Sequence, residues 1–198
     1  MHKPTAAPLT PASVQRRAAA IETALIARGV ASTQAVDERV HVGDEVWLPE
    51  RGARVVAKAW LEPDFKQRLL DNGRAAVAEL GIEMPAHHRH LVLLENTAGV
   101  HNVICCTLCS CTALSVIGLP PDWYKDLEYR ARVVRESRTV LREMGLDLSP
   151  GMEVRVWDTT ADTRYMVLPL RPAHTAGWNA EQLAAIVTKD AMIGVARL

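Results

Sequence analysis

Val103-Ile-Cys-Cys-Thr-Leu-Cys-Ser-Cys111 holds every cysteine of the 198-residue chain, Cys105, Cys106, Cys109 and Cys111, within seven positions. An apolar run leads into the segment and Gly118-Leu-Pro-Pro121 turns the chain shortly after it. The segment reads as a strand that stops where a thiol cluster begins. A structural zinc site would want its four ligands split into two pairs from separate parts of the chain, and no second pair exists. A thioredoxin-like dithiol over Cys106-Thr-Leu-Cys109 should open a helix in a βαβ setting, and it leaves Cys111 without a role. Cys109-Ser110-Cys111 offers something else. If both sulfurs bind one ion, the main-chain nitrogens of Ser110 and Cys111 lie against it and complete a planar set of two nitrogens and two sulfurs. Cys106 can then reach an axial position, leaving the sixth open. Amidates and thiolates are strong-field donors, so the set suits low-spin trivalent cobalt or iron better than zinc. Such a site is about two charges negative, and burying it requires cationic partners. Cys105 should point the opposite way along the strand from Cys106, as a buried thiol and not a ligand.

Outward from this segment the chain is expected to be α+β. Thr10-Pro-Ala-Ser13 starts a helix over Val14 to Arg28 that Gly29 closes. Val30 to Arg51 mixes apolar and acidic residues and reads as an irregular or partly helical connector. Gly52 to Trp60 and Asp64 to Leu80 read as helices, with Pro63 starting the second and Gly81 ending it. Residues 1–74 are thus expected to form an N-terminal helical arm, and 75–198 the domain that carries the cysteines. His90 to Leu94 and His101 to Cys105 are strands separated by the Asn96-Thr-Ala-Gly99 turn. A helix follows from Leu119-Pro-Pro-Asp122 through Tyr129, another runs from Ser137 to Met144, Glu153 to Trp157 and Arg164 to Leu168 are strands, and Glu181 to Thr188 is a closing helix. Strands and helices out of strict alternation favour α+β over a doubly wound sheet.

Composition narrows the partners. Lys plus Arg equals Asp plus Glu at 23 each, so no long-range field draws in nucleic acid or an anionic membrane. The N-terminus lacks a signal-peptide core and no stretch approaches the roughly 20 apolar residues that span a bilayer. The expectation is a cytoplasmic protein, where clustered cysteines bind metal or do redox chemistry. Arg130, Arg132, Arg135, Arg138 and Arg142 make a basic stripe, but Glu128, Glu136 and Glu143 interleave with them. It reads as a solvated or subunit-facing helix surface with ion pairs.

Cys106-Thr-Leu-Cys-Ser-Cys111 resembles the metal claw of nitrile hydratase α subunits. The resemblance extends through Glu95-Asn-Thr97, Gly118-Leu-Pro-Pro-Asp-Trp-Tyr-Lys125, Tyr129-Arg-Ala-Arg-Val-Val-Arg135, Asp158-Thr-Thr160 and Thr163-Arg-Tyr-Met-Val-Leu-Pro169. It implies the layered fold of that α chain and the hydration of a nitrile to an amide. It further implies one Co(III) per chain, Fe(III) being the alternative, with Cys106 a thiolate, Cys109 a sulfinate and Cys111 a sulfenate. The amide nitrogens of Ser110 and Cys111 complete the ligands. Thr107, where iron enzymes carry Ser, is similar to the cobalt type. The implied partners are a β subunit of one chain or two, in an (αβ)2 heterotetramer or larger, and an activator that inserts the metal. The metal subunit of thiocyanate hydrolase shares the claw and is the rival, and a non-catalytic metal module is the alternative from another class.

Two positions depart from the family or remain open. Thr112-Ala-Leu-Ser115 replaces a Pro-Trp-Pro pattern, so Leu114 is expected to reshape the pocket for a bulkier substrate, as in the toyocamycin-type branch. His87 falls near a family Gln that organises the site's hydrogen bonds, which makes it a candidate for the substrate pocket, although His87-His-Arg-His90 reads more readily as an exposed turn.

Overall fold

The computed structural model describes residues 10–109 and 111–198, which fall into two compact units, Met1–Val42 and Gly43–Leu198. The first contains α1 (Pro11–Ala27) and α2 (Thr33–His41). Thr10 caps α1 by accepting from the Ser13 amide, and Pro11 occupies the first turn, where its missing N–H costs nothing. None of the residues of α1 is buried, and Val14, Ile21 and Leu25 are among the exposed apolar side chains. The expected connector contains α2, capped by Ser32, whose hydroxyl accepts from the Ala35 amide. Its polar sequence offers little apolar periodicity, so the helix rests on its cap more than on burial.

The second unit opens with α3 (Pro49–Leu61), α4 (Pro63–Asp71) and α5 (Gly73–Ala78). These bury Val55, Val56, Phe65, Leu69 and Val77 in the main core. The second compact unit begins at Gly43, and within it the apolar faces of α3 to α5, part of the expected arm, pack with the cysteine-bearing layer. The helix expected over Asp64 to Leu80 is broken at Asn72, whose side chain caps α5. A Cβ on Gly73 would lie 2.4 Å from the Leu91 carbonyl oxygen, so the break lets α5 approach the sheet.

Four strands follow: β1 (His90–Glu95), β2 (Val100–Cys105), β3 (Glu153–Asp158) and β4 (Thr163–Leu168). β1 pairs parallel with β4, His90 opposite Thr163, and β2 parallel with β3, Cys105 opposite Asp158. The strands on either side of the Asn96–Gly99 turn are thus not paired with each other. Buried side chains hold the turn. Asn96 Oδ1 accepts from the Asn102 amide at 2.8 Å, Asn102 Nδ2 donates to the Glu95 carbonyl at 2.9 Å, and Trp157 Nε1 donates to Asn102 Oδ1 at 2.9 Å. β2 is buried along nearly its whole length, as expected of a strand covered on both faces.

Between β2 and β3 lie α6 (Leu114–Ile117), α7 (Asp122–Lys125) and α8 (Leu127–Glu143). Asp126 separates α7 from α8 and caps the latter, and a kink at Glu136 divides α8 just before the expected second helix. α9 (Ala180–Ile186), closed at its start by a reciprocal Asn179–Gln182 capping box, and α10 (Lys189–Ile193) complete the chain. Among the described residues no helix is long and apolar enough to cross a membrane.

Gly194 ends α10 with φ of 95°, and a Cβ there would sit 2.0 Å from the Asn102 carbonyl oxygen. Gly194→Ala should cost about 3 kcal/mol or more and lower the thermal midpoint by roughly 6–12 °C. Gly81→Ala, also at positive φ but with open space around it, should cost only about 1 kcal/mol. Equal effects from the two would overturn the close-packing account.

Candidate metal centre

The claw begins one residue beyond β2. Cys105, the last residue of the strand, is fully buried, and burial pushes its thiol up to about 12. It is an inert core side chain, as the alternation along the strand requires. Past it the chain leaves regular structure, and the sulfurs of Cys106, Cys109 and Cys111 converge. Cys106 Sγ lies 3.4 Å from Cys109 Sγ, which lies 2.9 Å from Cys111 Sγ, and all three fall within 4.8 Å of one another. No histidine or carboxylate joins this group among the described residues. Cys106 is buried, Cys111 half-buried and Cys109 exposed, while Leu108 at the loop tip is 86% exposed. Ser110, expected as a main-chain ligand, lies outside the described residues.

The donor chemistry fits a thiophilic cation. Burial, followed by hydrogen bonding with Cys109, holds the Cys111 thiol well above its ordinary range, and the charge of Arg164 opposes the rise. Crowded thiols resist ionising together, and a cation in their midst relieves the repulsion and displaces their protons.

Side chains from three other elements grip the claw's main chain. Tyr129 donates to the Ile104 carbonyl at 2.9 Å, and Tyr124 to the Cys111 carbonyl at 3.1 Å. Burial pushes both phenols well up, so both remain protonated donors. Arg130 donates through Nε to the Cys106 carbonyl at 2.9 Å and through Nη2 to that of Thr107 at 2.7 Å. From the end of β3, Asp158 accepts from the Thr107 amide at 2.9 Å and from its hydroxyl.

Sequence reasoning gave none of these four a role at the claw. The sequence pattern places Arg130 on an ion-paired helix face. Arg132 does behave that way, pairing with Glu128, Glu136 and Glu143, but Arg130 turns to the claw and Arg138 to the carbonyls of Leu148 and Ser149. Spacing within one helix could not distinguish them, because their acceptors belong to distant loops.

Buried Arg164, at the start of β4, likewise has no sequence signal that ties it to the claw. Its charge acts on the Cys111 thiol and on His88, its Nη1 donates to the Thr160 carbonyl at 2.6 Å, and its Nε has no partner among the described residues. His88 is 2% exposed and also has an unpartnered ring nitrogen, Nδ1. Burial, with the charge of Arg164 second, pushes it down to about 4, so the ring is neutral. His87 lies in an exposed turn, its ring edge-on to His88 with centroids 4.3 Å apart. Leu114 opens α6 and is half-buried, three residues after Cys111. A cavity of about 360 Å3 lies toward the opposite end of β2, lined by Asn96, His101, Arg171 and Leu198 and by no claw residue. The Cys109 and Cys111 sulfurs sit instead on an open face, with Cys106 buried behind them.

A mixed α+β chain that ends a buried parallel strand in three convergent thiols defines a protein able to hold a thiolate-bound metal. Residues 12–196 match the family described as nitrile hydratase, alpha chain. A nitrile hydratase subunit alpha from a Rhodococcus species is 50% identical over 94% of this chain and 94% of its own length. The cobalt-containing nitrile hydratase subunit alpha of Pseudonocardia thermophila is 45% identical over 92% and 89%. A solved iron-type nitrile hydratase from Comamonas testosteroni Ni1, bearing a double histidine substitution, superposes with a TM-score of 0.91 at 52% identity, covering 96% of this chain and 92% of that one. The thiocyanate hydrolase subunit gamma of Thiobacillus thioparus is 40% identical over 75% of this chain and 65% of its own length. The chain belongs to the nitrile hydratase alpha chain family, an enzyme family of the hydro-lyase class.

The His88 ring sets an acid limit. Its folded-state pKa lies below the unfolded value of 6.5, so the stability it contributes is intact above pH 6.5 and is lost as pH falls toward 4. At pH 5 the loss should be about 2 kcal/mol. His88→Gln should shrink the drop in thermal midpoint between pH 7 and pH 5 by several degrees. An unchanged drop would sink this assignment.

Proposed function

We propose that the chain is the metal-bearing α subunit of a cobalt-type nitrile hydratase, converting a nitrile to its amide in the cytoplasm. The convergence of the Cys106, Cys109 and Cys111 sulfurs at the end of β2, in a chain of this family, carries the reading. Co(III) is the preferred occupant, with Fe(III) the alternative: cobalt-containing relatives support the first and the iron-type structure the second. In this reading the three sulfurs and the main-chain nitrogens of Ser110 and Cys111 hold the ion, with Cys109 as sulfinate and Cys111 as sulfenate. The bound ion would act as a Lewis acid toward the nitrile.

The chain's own residues set the conditions for that chemistry. Cys106, buried and close to the main chain of Thr159, anchors the ion from the protein side. Cys109 and Cys111, more exposed, face the side from which substrate arrives. Arg164 places a positive charge near Cys111 that favours an anionic ligand set there. Leu114, in place of an indole, leaves room for a bulkier, heteroaromatic nitrile, and His87, in an exposed turn, is expected to tolerate exchange for Gln without loss of turnover.

The open face calls for a second chain. In the second unit Leu108, Cys109 and Leu127 are exposed, and a β subunit, as one chain or two, would complete the pocket there; in the first unit the apolar residues of α1 are exposed as well, and the same partner would cover that helical arm. An (αβ)2 heterotetramer or larger assembly and a metal-insertion activator belong to the same proposal.

Peptide mass spectrometry across Cys105 to Cys111, on the chain co-expressed with its β partner and supplied with cobalt, should find two added oxygens on Cys109 and one on Cys111. Four plain thiols with no trivalent metal bound would favour a simple metal-binding module. Turnover of thiocyanate in preference to an aromatic nitrile would favour the thiocyanate hydrolase reading. Leu114→Trp should lower kcat/KM for bulky aromatic nitriles by roughly tenfold or more relative to acetonitrile, a change of about 1–3 kcal/mol in discrimination. An unchanged profile would remove Leu114 from the pocket.

A further inference from the structure

The peptide unit between Cys106 and Thr107 is held from both sides. Its carbonyl oxygen accepts from Arg130 Nε at 2.9 Å, and its N–H donates to the Asp158 carboxylate at 2.9 Å. In a trans peptide these two groups point in opposite directions, so a cation on one side and an anion on the other fix the rotation of the plane. Arg130 also takes the next carbonyl, that of Thr107, at 2.7 Å. One planar guanidinium therefore spans two consecutive peptide units at the first turn of the claw, a fork that a lysine cannot reproduce.

This grip falls where the chain has least support of its own. Cys106 to Cys109 are neither helix nor strand, and Leu108 and Cys109 are exposed. Tyr129, beside Arg130 at the start of α8, fixes the strand end at Ile104, and Tyr124 fixes the far end at Cys111. Between them the Thr159 amide takes the Cys105 carbonyl at the end of the strand, and Arg130 takes those of Cys106 and Thr107, the first two of the claw.

We propose that Arg130 is the positioning residue of the claw, orienting the Cys106–Thr107 peptide so that the Cys106 sulfur meets those of Cys109 and Cys111 before a metal ion arrives. The proposal rests on the reading of the sulfur triad as a metal centre. Its ordered main chain lowers the entropic cost of closing three thiolates on one ion, and its charge offsets part of the anionic ligand set. Loss of an outer residue that orients metal ligands typically costs about 10–100-fold in metal affinity.

The test compares wild type, Arg130→Leu and Arg130→Lys in the cobalt-supplied complex with the β partner. It measures cobalt per α chain, the thiolate-to-metal charge-transfer absorption, the rate of cobalt release to a chelator and the thermal midpoint. Arg130→Leu should load less cobalt or release it about tenfold or more faster, with a shifted absorption band, and Arg130→Lys should fall between. Wild-type loading, release and absorption in a folded Arg130→Leu complex would overturn the proposal, as would a lowered thermal midpoint with unchanged release. If Arg130→Leu does not accumulate, Arg130→Lys decides: faster release from a folded complex supports the role, and wild-type release overturns it. Failure of the wild-type complex to hold any metal would instead overturn the metal-centre reading itself.

Discussion

The claw depends on hydrogen bonds that hold its main chain in place of the regular structure it lacks. A helix or strand satisfies its own carbonyls, and a loop that must present three sulfurs to one point cannot. The carbonyls of Ile104, Cys106, Thr107 and Cys111 are taken by Tyr129, Arg130 and Tyr124, all delivered by the corner between α7 and α8. The short turn at Asp126 that breaks those helices is therefore part of the site. It aims three donors at one loop, which a single straight helix spanning the same residues would spread around its axis.

Arginine does similar work elsewhere in the unit. Arg74 holds the carbonyls of Met84, Pro85 and His88, Arg138 those of Leu148 and Ser149, and Arg171 those of Trp60 and Thr175. Five donors in a fixed fork allow one side chain to satisfy several loop carbonyls at once. The balanced net charge conceals this, because these cations answer main-chain oxygens and not carboxylates. The exposed pairs around Arg132 are the opposite case, screened by solvent and contributing little.

The two neighbouring cysteines show how strand geometry sorts chemistry. Cys105 faces the core and is held as a neutral thiol by burial. Cys106, one residue on, leaves the strand and joins the sulfur triad, buried on the protein side while Cys109 and Cys111 open outward. An open face of sulfurs beside exposed Leu108 is poorly suited to stand alone in water and well suited to a second chain.

The sequence by itself determined the family, the α+β class, the strands around the claw and the separation of Cys105 from the other thiols. The family was legible through the resemblance of the Cys106–Cys111 motif and its flanking stretches, and the rest follows from local rules: alternation along a strand, capping at helix ends and the spacing of cysteines within seven residues. Tertiary structure alone decided that β1 and β2 each take a partner from the far end of the chain, that the compact unit begins at Gly43, and that Arg130, Tyr124 and Asp158 meet at the claw while His87 stays in an exposed turn. The reason is distance along the chain. Asp158 reaches Thr107 across 51 residues, and no periodicity within either segment encodes that meeting. It exists because parallel pairing of β2 with β3 sets Asp158 beside Cys105 at the point where the claw begins.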